Sequence, residues 1–165
     1  MMINSSLRLF SFGGDFMLWV DENTIRLNGE DYQVQYFRKH EKNDLGEVCW
    51  GEPDNMNPRL IYLLDQFRNY VGRPIRINYG TQGSHSPNSQ HFLGNAIDLY
   101  VPALSWKEQF LAATRFPFTG VGVYPFWNNP GLHLDIRTLQ NGQKDMWWRN
   151  NHGNYEKIET LTKVL

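Results

Sequence analysis

The sequence predicts a single α+β domain, an antiparallel sheet flanked by helices. Three observations lead there. Residues 132–137 alternate apolar and polar side chains without a break, as a half-buried strand does. The stretch after Asn57-Pro58 repeats apolar residues at helical spacing. Helical and extended stretches do not alternate one for one, as a parallel sheet would require.

Taken in order, residues 24–27 and 32–36 are β-rich and alternating, with Asn28-Gly29 between them. Asn-Gly is a strong short hairpin signal because both residues tolerate positive φ, so an N-terminal hairpin is expected. Asn57 can cap free amides, and Pro58 suits a first turn, where its missing N–H costs nothing. Leu60, Ile61, Leu64, Phe67 and Val71 then form one apolar stripe, which Gly72 and Pro74 end. Strands are expected at 75–78 and 96–101. A second helix starts at Ser105, where Glu108 completes a capping box, and runs to about Arg115. Strands follow at 120–124 and 132–137. In the last, Leu132, Leu134 and Ile136 face one way and His133, Asp135 and Arg137 the other. A third helix is expected over 155–165, through Ile158, Leu161 and Leu165.

Bulk properties narrow the function. The 165 residues carry 16 basic and 17 acidic side chains, so no net field favours nucleic acid or an anionic membrane. No Lys/Arg cluster supplies the basic track that stacked bases need, and nucleic-acid binding is not expected. No stretch reaches membrane-spanning length. Cys49 is the only cysteine, which excludes an internal disulfide and a thiolate metal cage. Residues 1–20 lack the basic start and unbroken apolar run of a signal peptide, so work outside the cytoplasm would need another route. Localisation and oligomeric state stay open. Aromatic residues reach 15%, which suits core packing first and a rigid cleft lining second.

The chemistry concentrates in two runs. One is Ser89-x-His91-x-x-Gly94-x-Ala96-x-Asp98; the other is His133-x-Asp135. Two neutral imidazoles and one carboxylate, His91, Asp98 and His133, make a ligand set that suits zinc with a fourth position left for water. Asp98 falls within a strand beside Ile97 and Leu99, and a buried acid there needs a cation, donors or exposure. Taken alone, the same residues also fit a loop-capping His91, a solvent-facing Asp98 and a satisfied sheet histidine at His133.

Together with Gly120-x-Gly122-x-Tyr124, this pattern resembles the zinc D-alanyl-D-alanine carboxypeptidase family, peptidoglycan peptidases that share the hedgehog/DD-peptidase fold. The resemblance covers residues 36–137 as a core, with 1–35 as an N-terminal hairpin extension and 138–165 as a C-terminal extension. It implies that His91, Asp98 and His133 bind Zn²⁺. It further implies hydrolysis of a peptide bond in a bacterial cell-wall stem peptide or cross-link by zinc-activated water. The absence of a signal peptide and the short length suit a phage lytic enzyme or a phage-particle domain. A non-catalytic zinc module that binds cell wall is the competing expectation.

Two departures from the family pattern bear on mechanism. The acid usually found three residues before the last histidine is Pro130 here, flanked by Asn128 and Asn129. Asp135 is the substitute candidate for general base; equally it can support a ligand or pair with Arg137. The Arg often placed after the strand at 75–78 is Gln82, which cannot make a charge-assisted fork to a substrate carboxylate. An internal bond, as in an endopeptidase, gains weight. Ser89 can bind substrate or cap the turn before His91. His85 reads as a solvated loop residue, and His40 and His152 as surface residues. Trp147-Trp148 fit either a cleft wall or helix packing.

Overall fold

The computed structural model describes residues 18–163 as two sheets and two α-helices. Residues 1–17 and 164–165, and with them most of the stretch searched for a signal peptide, lie outside the described residues. Strands β1 (Thr24–Leu27) and β2 (Glu30–Gln33) form the expected hairpin, with Asn28 at φ 52° and Gly29 at φ 86°. Both central residues are left-handed, which matches the twist of the strands they join.

The main sheet has six strands: β3 (Arg76–Tyr79), β4 (Ala96–Tyr100), β5 (Gly120–Tyr124), β6 (Gly131–Asp135), β7 (Asp145–Arg149) and β8 (Tyr155–Lys157). Their spatial order is β3-β4-β6-β5-β7-β8. Every neighbouring pair is antiparallel except β5–β7, which is parallel. The α+β class and the mainly antiparallel sheet agree with the sequence.

Helix α1 (Pro58–Val71) begins as expected. Asn57 Oδ1 accepts the Arg59 N–H at 3.0 Å, and Gly72 ends the helix at φ 63°. Leu60, Ile61, Leu64 and Phe67 are fully buried, together with Ile97, Leu99, Val121, Val123, Leu132 and Leu134 of the sheet. Fully burying such side chains contributes about 1.5–3 kcal/mol each before conformational entropy is counted. Helix α2 (Trp106–Thr114) carries the full capping box between Ser105 and Glu108. Its buried Gln109 binds three loop backbones: it accepts from Val101 N and donates to the carbonyls of Leu104 and Pro130. That holds the approach to β6 in place.

The N-terminal hairpin shares this core. Ile25 and Val34 are buried in it, and the buried Asp65 of α1 accepts hydrogen bonds from Gln35 N, Tyr36 N and the Tyr32 hydroxyl.

The third helix is a correction. Residues 155–157 are strand β8, and Ile158–Lys163 form a 3₁₀-helix. Asn150–Asn154 close a hairpin, with Gly153 at φ 84° and Asn150 Oδ1 accepting from His152 N and Asn154 N. Ile158 and Leu161 stand three apart, a spacing that a 3₁₀ turn stacks as well as an α-helix does. Strand β7, unforeseen from the sequence, puts Trp148 in the core and Trp147 on the opposite face.

Candidate metal centre

The site is built on the polar face of the sheet. In one cross-strand row, Asp98 on β4 pairs with His133 on β6, His133 with Gly122 on β5, and Gly122 with Trp147 on β7. The next row is Ala96, Asp135, Gly120 and Asp145. Side chains in such rows share a face, so register alone brings Asp98 beside His133.

His91 comes from the turn before β4. Ser89 Oγ accepts the His91 N–H at 3.3 Å. Gly94, at φ 69°, doubles the chain back where any Cβ would strike the Asn55 carbonyl. Its own carbonyl accepts Asn57 N at 2.9 Å, so the helix cap and the turn are one unit.

Three acceptor-capable atoms meet. His133 Nδ1 lies 3.1 Å from His91 Nε2 and 3.0 Å from Asp98 Oδ1, and His91 Nε2 lies 3.3 Å from Asp98 Oδ1. Each ring is held from behind. His91 Nδ1–H donates to the Gly80 carbonyl at 2.7 Å, and His133 Nε2–H donates to Asp135 Oδ2 at 2.9 Å. These acceptors assign the tautomers and turn the remaining ring lone pairs toward Asp98. Three lone pairs this close need a cation between them. A tetrahedral ion with arms of about 2.0–2.1 Å has ligand–ligand edges of about 3.3–3.4 Å. The observed edges of 3.0–3.3 Å fit that figure. The buried His91–Asp98–His133 group can hold a metal ion.

Burial opposes charge on Asp98, but the His133 and His91 hydrogen bonds outweigh it and hold the carboxyl at about 2. Burial also works against a charged His133, yet its bonds to Asp135 and Asp98 carry it up to about 9. Asp135 follows the same pattern: burial raises it, and His133 and Arg137 together bring it to about 2.

Asp135 itself is fully buried. Its carboxylate accepts from Arg137 Nε at 2.9–3.0 Å as well as from His133. It therefore lies behind His133, on the side away from Asp98 and His91. Its contacts are thus with the His133 ring and the Arg137 guanidinium, the two partners the sequence offered besides a base role. Gly120 makes this possible, since a Cβ there would fall on the Asp135 carboxylate. Gly122 does the same for Trp147, whose ring would stand 2.6 Å from a Cβ. The Gly-x-Gly run is a bare strip of sheet that accommodates two large neighbours.

The His91–Asp98–His133 group opens into a cleft of about 550 Å³. Ser89 lines it while also capping the turn, so both of its expected roles are compatible. Gln82 does not line it. Its amide donates to the carbonyls of Val48 and Cys49 and accepts from Gly80 N, which steadies the carbonyl that holds His91. The sequence reading missed several walls: Tyr124, Arg137, Asp145 and Tyr155. Trp147 is a wall too, tilted against His133 at 5.1 Å between ring centres, with the Arg137 guanidinium 4.7 Å from its own ring centre.

His85 differs most from expectation. It is half-buried and stacks on His91, at 5.0 Å and 12° between planes, and its Nε2 donates to the Gln82 carbonyl at 2.6 Å. Its only sequence signal was proximity to Ser89. His40 pairs with Glu22, and His152 is exposed.

Compared with models of known protein families and with curated proteins, the chain matches none of either. The case for a metal at His91, Asp98 and His133 rests on their geometry.

Proposed function

We propose that this chain is a zinc-dependent peptidase of the hedgehog/DD-peptidase type, hydrolysing a peptide bond in peptidoglycan stem peptides or cross-links. The observation that carries the reading is the convergence of His91 Nε2, His133 Nδ1 and Asp98 Oδ1 at the floor of an open cleft. Two nitrogens and one oxygen, with the single thiol buried elsewhere, favour zinc over softer or all-oxygen ions. When bound, zinc polarises a carbonyl and lowers the pKa of water toward 7.

The chain's own residues supply the rest. Gly80 and Asp135 orient the two imidazoles. Burial and the charge of Asp98 hold the Tyr124 phenol protonated in the cleft wall. His85 gives its Nε2–H to Gln82 and lines the cleft, and its remaining ring nitrogen is the proposed proton acceptor. Trp147 and Tyr155 form a wall for an extended peptide, and Arg137 sets a cation beside it. No membrane-spanning helix occurs among the described residues. The proposed partner is a peptide rather than nucleic acid.

One observation favours a second reading, a zinc-stabilised cell-wall-binding or phage structural module. Among the described residues, the only acids lining the cleft are Asp98, which is a ligand, and Asp145, which pairs with Arg137. Incubating the zinc-loaded chain with defined stem peptides and reading products by mass spectrometry decides between them. Chelator-sensitive cleavage that His85→Ala slows by about 10²–10⁴-fold, with zinc retained, supports the peptidase. Peptide binding without cleavage supports the module. Substoichiometric zinc that leaves His91→Ala as stable as the parent chain would sink both.

A further inference from the structure

A second cavity, of about 340 Å³, lies beyond Tyr124 from the metal cleft. Trp127 forms its inner wall and stacks flat on Tyr124, at 3.9 Å and 5° between planes. Because Tyr124 lines the first cleft and Trp127 the second cavity, this stacked pair stands between the two spaces. Across the cavity stands Tyr79, 40% exposed, which sits beside Asp98 in the β3–β4 register.

The polar groups around it are unusual in kind. Asn78, Asn128 and Asn129 line the cavity, and within the described residues no hydrogen bond engages their side-chain amides. The same holds for the Tyr79 hydroxyl and the Trp127 indole N–H. Each amide can donate and accept at once. The opposite rim is fixed: Asn43 binds the Asn78 carbonyl and the Leu45 and Glu47 amides, and Asp44 accepts the Tyr100 hydroxyl at 2.6 Å. No Lys, Arg or His lines the space.

We propose that this cavity binds a neutral pyranose ring. A sugar presents a face of C–H bonds, which packs on the electron-rich face of an aromatic ring, and an edge of hydroxyls that both donate and accept. Trp127 and Tyr79 supply the first need, and the three free asparagines the second. An anionic ligand finds no counter-charge here, and a nucleotide would bring phosphates that nothing in the wall neutralises. Only the link to a cell-wall glycan attached to the cleaved peptide rests on the peptidase reading; the sugar site uses none of the metal-holding residues.

The test uses the full chain, ¹⁵N-labelled, titrated with the β-1,4-linked tetramer of N-acetylglucosamine, with zinc and again with chelator. The expected result is saturable binding in both conditions, with the Trp127 indole N–H signal shifting. Trp127→Ala and, as a variant that leaves the Tyr124 stack intact, Asn129→Ala should each weaken binding by about tenfold. No saturable binding up to about 10 mM overturns the proposal. So does binding that both variants leave unchanged, or binding that chelator abolishes, which would put the sugar at the metal centre. Cleavage of a sugar-free peptide is a separate readout, so loss of the peptidase reading and loss of this one are distinguishable.

Discussion

Replacing Asp135 by Asn separates a supporting carboxylate from a catalytic one. The amide keeps the shape and can still present an oxygen to His133 Nε2–H, now 2.9 Å from Oδ2. It loses the charge that strengthens that bond, and charge-assisted bonds are about twice as strong as neutral ones. It also turns an N–H₂ toward Arg137, whose guanidinium is half-buried against the same carboxylate. Carboxylates that orient a ligating histidine typically contribute 10–100-fold to metal affinity, about 1.4–2.7 kcal/mol. Asp135→Asn should therefore weaken zinc binding by that factor and lower folding stability by about 1–3 kcal/mol, because Arg137 loses its buried carboxylate and keeps only Asp145 as a charged partner. Competition against a chromophoric chelator reads the first, and urea denaturation the second. Turnover should recover as free zinc is raised. Unchanged zinc affinity, with turnover lost at saturating metal, would refute the assignment and return Asp135 to the role of base.

Three further outcomes follow from the same geometry. Gly120→Ala pushes a methyl onto the Asp135 carboxylate, so denaturation should show a loss of about 1–3 kcal/mol and zinc titration a weaker site. In chelator, His133 rises from about 6.5 unfolded to about 9 folded, so its contribution is complete below pH 6.5 and lost as pH climbs to 9. Asp98, lowered to about 2, contributes above pH 4 and loses its share as pH falls toward 2. Urea midpoints of the metal-free chain should fall at both ends, and saturating zinc should remove the alkaline loss. Cys49 is buried and its thiol pushed above the usual range by burial, so a thiol reagent should label it only on unfolding.

Local chemistry made much of this readable in advance. The Asn57 cap, the Ser105–Glu108 box and the Asn28-Gly29 turn are set by near neighbours, and each appears where the sequence puts it. Period-two alternation put Asp98 and His133 on the polar faces of their strands, whereas His91, on a turn, joined them only through the family resemblance. What escaped depends on contacts between distant segments. Strand β7 pairs in parallel with β5 after passing β6, which no local pattern announces. Asp135 could not be assigned from spacing, because whether it faces the open position or backs the ring depends on ring orientation. That orientation is fixed by Arg137 and the space at Gly120. His85 looked like any loop histidine until the fold stacked it on His91.

The parallel pairing of β7 divides labour along the chain. The three residues of the candidate metal group lie at positions 91 to 133, while Trp147, Asp145 and Tyr155 arrive later, on strands added at the far edge. The far wall of the cleft can thus vary with the last two strands, which carry none of the three candidate ligands.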